Sequence, residues 1–483
     1  MINNSPMISL NETLKATRGV LIAGEHGADF RGISTDSRLL QKGNLFIALK
    51  GDSYDGHDFA GSALERGAAG VVLSDETKID LKRAGEMGAV IKVSDTLTAL
   101  GDLAHYWRKK FNVTVIGLTG SSGKTTTKEM IAAIIGQKKK ILKTEGNLNN
   151  LVGLPQTLFR LTAQHEVAVV EIGTNSPGEI KRLTQITEPD IGLITNIGPA
   201  HLAGLKTVEG VAREKGDLFA HMKKDGIAVI NCDDENVKKI SGKWKGGRIS
   251  FGMSDQADIS ARGMEKAGAG SMRFYFIAGG KEQKIEIKII GIHNIYNAIA
   301  AAAASVAADI NYQTIIDGLA AFRPVPGRME VIKLKNGSYL LDDSYNANPS
   351  SMREALMTLK ELKSSHKSYV FLGDMLELGD AADEMHRKAG MLAATTGVNT
   401  LFLKGEFSGK TAEGASQGGL SPKKIRLLSD TQDAVDYLKS VLKKGDWILV
   451  KGSRCMKMEE ISRKICNDFG CETVCSDTPP TQE

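Results

Sequence analysis

Residues 113–130 constrain the fold more than any other part of this chain. The β-branched run Val113-Thr114-Val115-Ile116-Gly117-Leu118 leads into Thr119-Gly120-Ser121-Ser122-Gly123-Lys124-Thr125-Thr126, and a helix-like pattern continues into the apolar residues 131–135. Strand, glycine-punctuated turn and helix in that order form the setting of a phosphate-binding loop. Gly120 and Gly123 let the backbone wrap close to an anion, with N–H groups and a helix N-terminus directed at it. Lys124 is placed to reach outer phosphates, and Thr125 to offer its hydroxyl to Mg²⁺. The loop therefore reads as an ATP site with Gly120, Ser121, Ser122, Gly123, Lys124, Thr125 and Thr126 around the phosphates. The usual pattern has a glycine five residues before Gly123, where this chain has Leu118, so the loop is a variant. An ordinary glycine turn is the alternative.

Strand and helix patterns alternate around this loop. Strands are expected at 113–118, 167–172, 191–196 and 227–231, with helices between them, which predicts a mostly parallel sheet with crossovers. After Trp244 the pattern predicts short strands, with 272–277 and 283–290 as a meander and helices over 295–308 and 313–322. Arg323-Pro324-Val325-Pro326-Gly327-Arg328 marks a boundary, because two prolines and a glycine end the helix and stiffen the connection. Beyond it a second alternating series predicts a doubly wound, Rossmann-like unit. Residues before about 108 contain short strands and many turns. The fold class is α/β in three domains: 1–108 a small α/β module, 109–325 the ATP-binding domain, and 326–483 the C-terminal domain.

The 483-residue length accommodates about two to four domains. With 41% hydrophobic and 25% charged residues the chain reads as globular, and a net charge of +5 with both signs interspersed is a weak footprint for nucleic acid. Lys138-Lys139-Lys140 reads as a solvated helix end, and no nucleic-acid partner is expected. No early basic segment leads into an apolar stretch with a cleavage site, and no run approaches 18 apolar residues, so a cytoplasmic protein without membrane insertion is expected. The alanine-rich 298–308 reads as a close-packed helix. Cys232, Cys455, Cys466, Cys471 and Cys475 lack the spacing of common zinc pairs and read as reduced thiols.

Polar residues cluster where strands are expected to end, the ligand edge of such sheets. Glu171 ends one strand, where a carboxylate can hold Mg²⁺ near phosphates. Thr195-Asn196-Ile197-Gly198-Pro199-Ala200-His201 ends another with an amide and an imidazole. Thr144-Glu145-Gly146-Asn147-Leu148-Asn149-Asn150 is amide-rich. Asn294 and Asn297 lie three apart on one helix face, with helix capping and base or ribose contact both open for Asn294. In the last module, Asp342-Asp343-Ser344-Tyr345-Asn346-Ala347-Asn348-Pro349, Gly373-Asp374-Met375-Leu376-Glu377-Leu378-Gly379 and Lys451-Gly452-Ser453-Arg454 each follow a strand. Routine caps and turns would explain any one of these loops, but poorly all three. Near the start, Ser34-Thr35-Asp36-Ser37-Arg38 fits either a polar ligand's site or a capped surface turn.

Taken together, these strings resemble the Mur ligase family of peptidoglycan synthesis. The resemblance spans essentially the whole chain and includes Gly51-Asp52, Asp55-Gly56-His57, Pro177-Gly178-Glu179, Gly291-Ile292-His293-Asn294 and Pro326-Gly327-Arg328. It implies an ATP-dependent amide ligase joining D-alanyl-D-alanine to UDP-N-acetylmuramoyl-tripeptide through an acyl phosphate, releasing ADP and phosphate. Residue by residue, it implies that Lys124 acts on the transferring phosphoryl group, Thr125 and Glu171 carry Mg²⁺, and His201 serves a second Mg²⁺. It also implies a carbamylated lysine, matched here by Lys215, which without the resemblance reads as a surface residue of an amphipathic helix. Asn294, Arg328 and Asp343 would contact ATP, the last two through domain closure. Asn346 and Asn348 would lie near the dipeptide, and Thr35, Ser37 and Arg38 near the UDP-sugar peptide. A monomer is the expected state.

Three other readings compete, one of them a ligase-derived binding protein that has lost catalysis, against which the intact Lys124, Thr125, Glu171 and His201 argue. A folylpolyglutamate synthase-like ligase shares the ATPase core, but residues 1–108 argue against it. A nucleotide switch or scaffold would need neither two further modules nor their polar loops, and no Asn-Lys-x-Asp guanine signature occurs.

Overall fold

The computed structural model describes residues 6–51 and 53–472, so Asp52 and Cys475 lie outside the described residues. Three α/β units follow one another. The first holds a five-stranded sheet in the order Val20–Ala23, Ala89–Lys92, Gly70–Leu73, Leu45–Ile47 and Ile33–Ser34, beside a small pairing of Met7–Ser9 with Asp29–Arg31. Helix Thr96–Lys109 then leads into the second unit.

That unit is built on a nine-stranded sheet. Thr114–Thr119 is flanked by Val167–Glu171 and Ile191–Ile194, Ile141–Lys143 forms one edge, and Ile227–Asn231, Gly247–Gly252 and Ile259–Lys266 continue on the other side. All these neighbours are parallel. Met272–Ala278 and Lys281–Ile287 then add on antiparallel. The expected meander is therefore an extension of the parallel sheet, and its last strand stops at Ile287 rather than 290. The alanine-rich segment forms helix Ile292–Ala307, whose Ala298 and Ala300 to Ala304 are buried against the sheet together with helix Lys124–Ile135. Methyl side chains let a helix axis come close to its neighbours, which is what the run supplies here.

The third unit carries seven strands in the order Ile425–Leu427, Thr400–Lys404, Ser368–Gly373, Trp447–Lys451, Tyr339–Asp343, Glu330–Leu334 and Cys471–Glu472. The first five are parallel and the last two are antiparallel additions. Separate apolar cores cover its two faces, one around Leu356, Leu359 and Ala393 and the other around Leu438, Ile461 and Ile465. No helix among the described residues is long and apolar enough to cross a membrane. Cys232, Cys455, Cys466 and Cys471 are free thiols.

The first two units share one apolar core, which runs from Ile8, Phe30 and Leu45 through Leu100 and Leu103 to Val115 and Val170. A polar cluster pins the same seam. Glu12 accepts from Lys110 Nζ at 2.6 Å and Tyr106 Oη at 3.1 Å, and closes the cap of the first helix through Ser9 N at 2.8 Å. Burial alone would raise its pKa, but these donors win and lower it to about 2. A carboxylate depressed in the folded state stabilises above its unfolded value and loses that contribution as pH falls through the folded one. Glu12→Gln is therefore expected to be less stable than the wild type at neutral pH. The gap should close as pH falls from 4.5 towards about 2, as checked by urea midpoints across that range.

Candidate active site

Leu118 is fully buried and pairs with Glu171 on one side and Leu193 on the other. That position therefore belongs to the strand and needs no glycine, which explains the variant loop. Gly120 and Gly123 cannot be replaced. Both have positive φ, at 157° and 79°, and an added Cβ would lie 1.8 Å from Thr195 Oγ1 at the first and 2.2 Å from Asn297 Oδ1 at the second.

The strand after the loop's neighbour holds the loop in shape. Asn196 Oδ1 accepts from Ser122 N at 3.0 Å, Asn196 Nδ2 donates to Ser122 O at 3.2 Å, and Thr195 Oγ1 donates to the same carbonyl at 2.7 Å. Ser121 Oγ donates to Gly198 O at 2.9 Å. Lys124 opens the following helix and folds its Nζ back to Gly120 O at 2.8 Å. Burial pushes its pKa down, opposed by Glu171. Thr126, next to it, lines the same cleft.

Thr125 and Glu171 meet, with Thr125 Oγ1 donating to Glu171 Oε2 at 3.0 Å. Asn149 Nδ2 holds the other carboxylate oxygen at 2.9 Å, and Glu171 N donates to Thr144 Oγ1 at 3.0 Å. A buried carboxylate oxygen beside a hydroxyl is a hard-oxygen donor pair, which fits Mg²⁺. Among the described residues no group of three or more His, Cys, Asp or Glu side chains converges. That suits an ion held by one or two protein groups and phosphate oxygens rather than by an all-protein cage.

His201 and Lys215 complete the central side. Lys215, on helix Val208–His221, is 1% exposed and forms no hydrogen bond or ion pair among the described residues. Burial holds its pKa well below the ordinary value, and the nearby Lys124 ammonium acts in the same direction. Its sequence neighbour Glu214 is spent on structure, accepting from Gly178 N at 2.7 Å and Ile180 N at 2.8 Å. The expectation of a surface lysine, which held without the resemblance, is thus corrected: the side chain lies inside. His201 pairs through Nδ1 with Glu377 Oε2 of the third unit at 2.6 Å. Its pKa is lowered by burial, against the pull of Glu377.

The third unit reaches into the same cleft. Arg328 Nη2 donates to Thr125 Oγ1 at 3.1 Å and its guanidinium stacks 4.0 Å from the Tyr345 ring centre. Asp343 accepts from Met329 N at 3.1 Å through Oδ1 and binds the fully buried Lys451 ammonium through Oδ2. Lys451 Nζ also donates to Asn346 O at 3.0 Å. Asn348 caps helix Pro349–Lys363 while its Nδ2 donates to Ser121 O, 3.0 Å away across the domain seam. Together these groups line a cavity of about 400 Å³ with Lys124, Thr125, Glu171 and His201. A second cavity of about 420 Å³ continues past Ser122 and Gly123 to Asn231, Asp233, Tyr296 and Asn297.

Asn294 lines the cleft and is not the helix cap. Gly291 occupies the cap position, and Asn294 bonds Ile290 O at 2.9 Å and, through Oδ1, Asn297 Nδ2 at 2.9 Å. Asn297 in turn accepts from Thr127 Oγ1 at 3.3 Å. The first-unit residues stand apart from both cavities. Thr35 Oγ1 accepts from Gln156 Nε2 at 3.1 Å, Ser37 O from Arg66 at 3.0 Å, and Arg38 is largely exposed and paired with Asp36. Sequence reasoning gave no individual roles to Asn149, Lys451 or Glu377, although each lies in a polar loop that it singled out, the last two after an expected strand.

Comparison with known proteins agrees with this architecture. Residues 29–108 match the description "Mur ligase family, catalytic domain", residues 118–305 "Mur ligase middle domain", and residues 327–454 "Mur ligase, glutamate ligase domain". The chain belongs to the Mur ligase family. Within that family it is similar to the UDP-N-acetylmuramoyl-tripeptide–D-alanyl-D-alanine ligase of Bacillus subtilis, with 36% identity over 437 residues, covering 90% of this chain and 93% of that protein. Among solved structures, a MurF from Acinetobacter baumannii superposes with a TM-score of 0.86 at 31% identity, covering 96% of this chain and 100% of the other. The Thermotoga maritima MurF ligase in complex with ADP gives 0.80 at 28% identity, covering 90% and 97%.

Proposed function

We propose that this chain is the ADP-forming ligase that joins D-alanyl-D-alanine to UDP-N-acetylmuramoyl-tripeptide. The observation that carries the reading is the single cleft in which the phosphate loop, the Thr125–Glu171 pair and the Asp343, Asn346 and Asn348 loop converge. The terminal carboxylate of the tripeptide attacks the γ-phosphorus of ATP, ADP leaves, and an acyl phosphate forms. The dipeptide amine then attacks the acyl carbon, the C–O bond to phosphate breaks, and an amide remains. A carboxylate accepts an amine poorly until one of its oxygens becomes a good leaving group, and this is why ATP is consumed.

In this scheme the Lys124 ammonium leaves Gly120 O for the phosphoryl oxygens, whose charge it balances. Thr125 and Glu171 hold Mg²⁺, with Asn149 orienting the carboxylate, and His201 serves a second ion. Mg²⁺, when bound, supplies positive charge beside the transferring group. Arg328 and Asp343 approach ATP from the third unit, Asn294 supports the nucleotide side through Asn297, and Asn346 and Asn348 face the dipeptide. Thr35, Ser37 and Arg38 serve the UDP end, away from the reaction. The domains divide at about residues 108 and 325. The cleft is lined from within one chain, which is consistent with a monomer, and nucleotide substrates are consistent with a cytoplasmic enzyme.

Lys215 serves as a carbamate. Burial favours its neutral amine, the form that adds CO₂, and the product replaces an ammonium facing Lys124 by an anion. With ¹³C-bicarbonate, the wild type is expected to show a carbamate carbon resonance that Lys215→Met lacks. An active enzyme without that resonance would remove the assignment. The reading as a whole is tested by phosphate release from Mg·ATP. Release should require tripeptide and dipeptide together and match UDP-pentapeptide one for one. ATP binding without ligation of either the lysine or the diaminopimelate tripeptide would refute it.

A further inference from the structure

His201 and Glu377 stand on different domains, 176 residues apart in sequence, yet form a 2.6 Å contact at the cleft. Both are non-glycine residues in the left-handed region, with φ of 53° and 64°. A second bond fixes the same junction, from Ala203 N to Glu377 O at 3.0 Å. Just beyond, Ala381 packs on the apolar core of the first two units. Two adjoining contacts thus place one carboxylate against one ring nitrogen, and two backbones hold a conformation that needs support from their surroundings.

An imidazole whose Nδ1–H is held by a carboxylate has its lone pair on Nε2. His201 Nε2 has no hydrogen-bond partner among the described residues, whereas Nδ1 is taken. The charged groups facing the ring are Lys124 and Lys215 from the central unit and Glu377 from the third. Of these, only Glu377 is an acceptor, and it comes from the third unit.

We propose that Glu377 is a positioning residue for His201: docking of the third unit fixes the imidazole as the Nδ1–H tautomer and presents Nε2 to the reaction centre. Glu377 touches no reacting atom; it makes the histidine competent only when the domains are together. The inference rests on the ligase reading for its catalytic consequence and on geometry alone for the tautomer.

The experiment uses the full chain labelled with ¹⁵N-imidazole histidine, with ADP and Mg²⁺ present, and identifies the His201 signals by their loss in His201→Gln. In the wild type, Nδ1 is expected to be the protonated nitrogen. In Glu377→Ala the signal should move to the Nε2–H form common in water, and kcat should fall by roughly 10–100-fold, with KM for ATP within about 2-fold. Glu377→Gly relieves the positive φ, so the same loss there is independent of backbone strain. Glu377→Gln, whose amide oxygen still accepts from Nδ1–H, should retain the tautomer and most of the rate. An unchanged tautomer in both Glu377→Ala and Glu377→Gly, or an undiminished kcat in both, would overturn the proposal. Failure of the wild type to form UDP-pentapeptide would instead refute the ligase reading and leave the tautomer result to decide the positioning role.

Discussion

Lys124→Ala is expected to lower kcat by about 10³-fold or more while leaving the fold intact. The expected loss is large because the lysine is the one ammonium of the phosphate loop, and the cleft's other cations cannot take its place. Arg328 is engaged with Thr125 and Tyr345, and Lys451 is tied to Asp343. The fold should survive because Lys124 Nζ makes a single bond, to Gly120 O, and that loop is held separately by Asn196 and Thr195. Removing a desolvated ammonium also relieves a burial penalty. The variant's thermal midpoint should therefore stay within about 3 °C of the wild type, as befits a change of under about 1 kcal/mol in a chain this size. Single-turnover formation of acyl phosphate would separate the phosphoryl step from amine attack. Near-normal turnover would mean that the phosphate loop has been misread.

Lys451→Met is expected to destabilise the third unit by about 3–5 kcal/mol, the cost typical of removing one partner from a buried ion pair. Asp343 and Lys451 end neighbouring parallel strands and are register partners, both buried. Without the ammonium, the Asp343 carboxylate keeps only the Met329 amide, and Asn346 O loses its donor. The double variant Asp343→Asn/Lys451→Met removes the stranded charge and should recover most of the stability without recovering activity, since Asp343 also approaches ATP in the proposed scheme. Denaturant midpoints of the two variants decide the matter. A single variant within 1 kcal/mol of the wild type would show that the pair does not hold this edge of the sheet.

The phosphate loop was legible because its chemistry is contiguous: two glycines, a lysine and a threonine lie within six residues, between patterns of period 2 and 3.6. Strand ends such as Glu171 and Asp343 were legible for the same reason, as polar residues closing an apolar run. The missed strands are of another kind. Ile141–Lys143 has three residues, too few for any period, and Ile259–Lys266 is buried at its start but exposed from Arg262 onward. Lys215 reads as amphipathic surface because nothing local says that the helix face around it is covered. Glu377 had no signal of its own, since the partner that gives it meaning lies in another domain.

The two seams of this molecule differ in kind. Between the first and second units it is a continuous apolar core, whereas the groups that cross from the third unit to the phosphate loop and His201 are an amide, a guanidinium and a carboxylate, with apolar contacts such as Ala381 and Ile290 beside them. Water competes well for such bonds and poorly for buried hydrocarbon. The third unit is therefore expected to part from the other two more easily than they part from each other, a one-sheet jaw on a two-sheet body. A compound that wedges the polar seam open would stall the jaw without having to resemble any of the substrates.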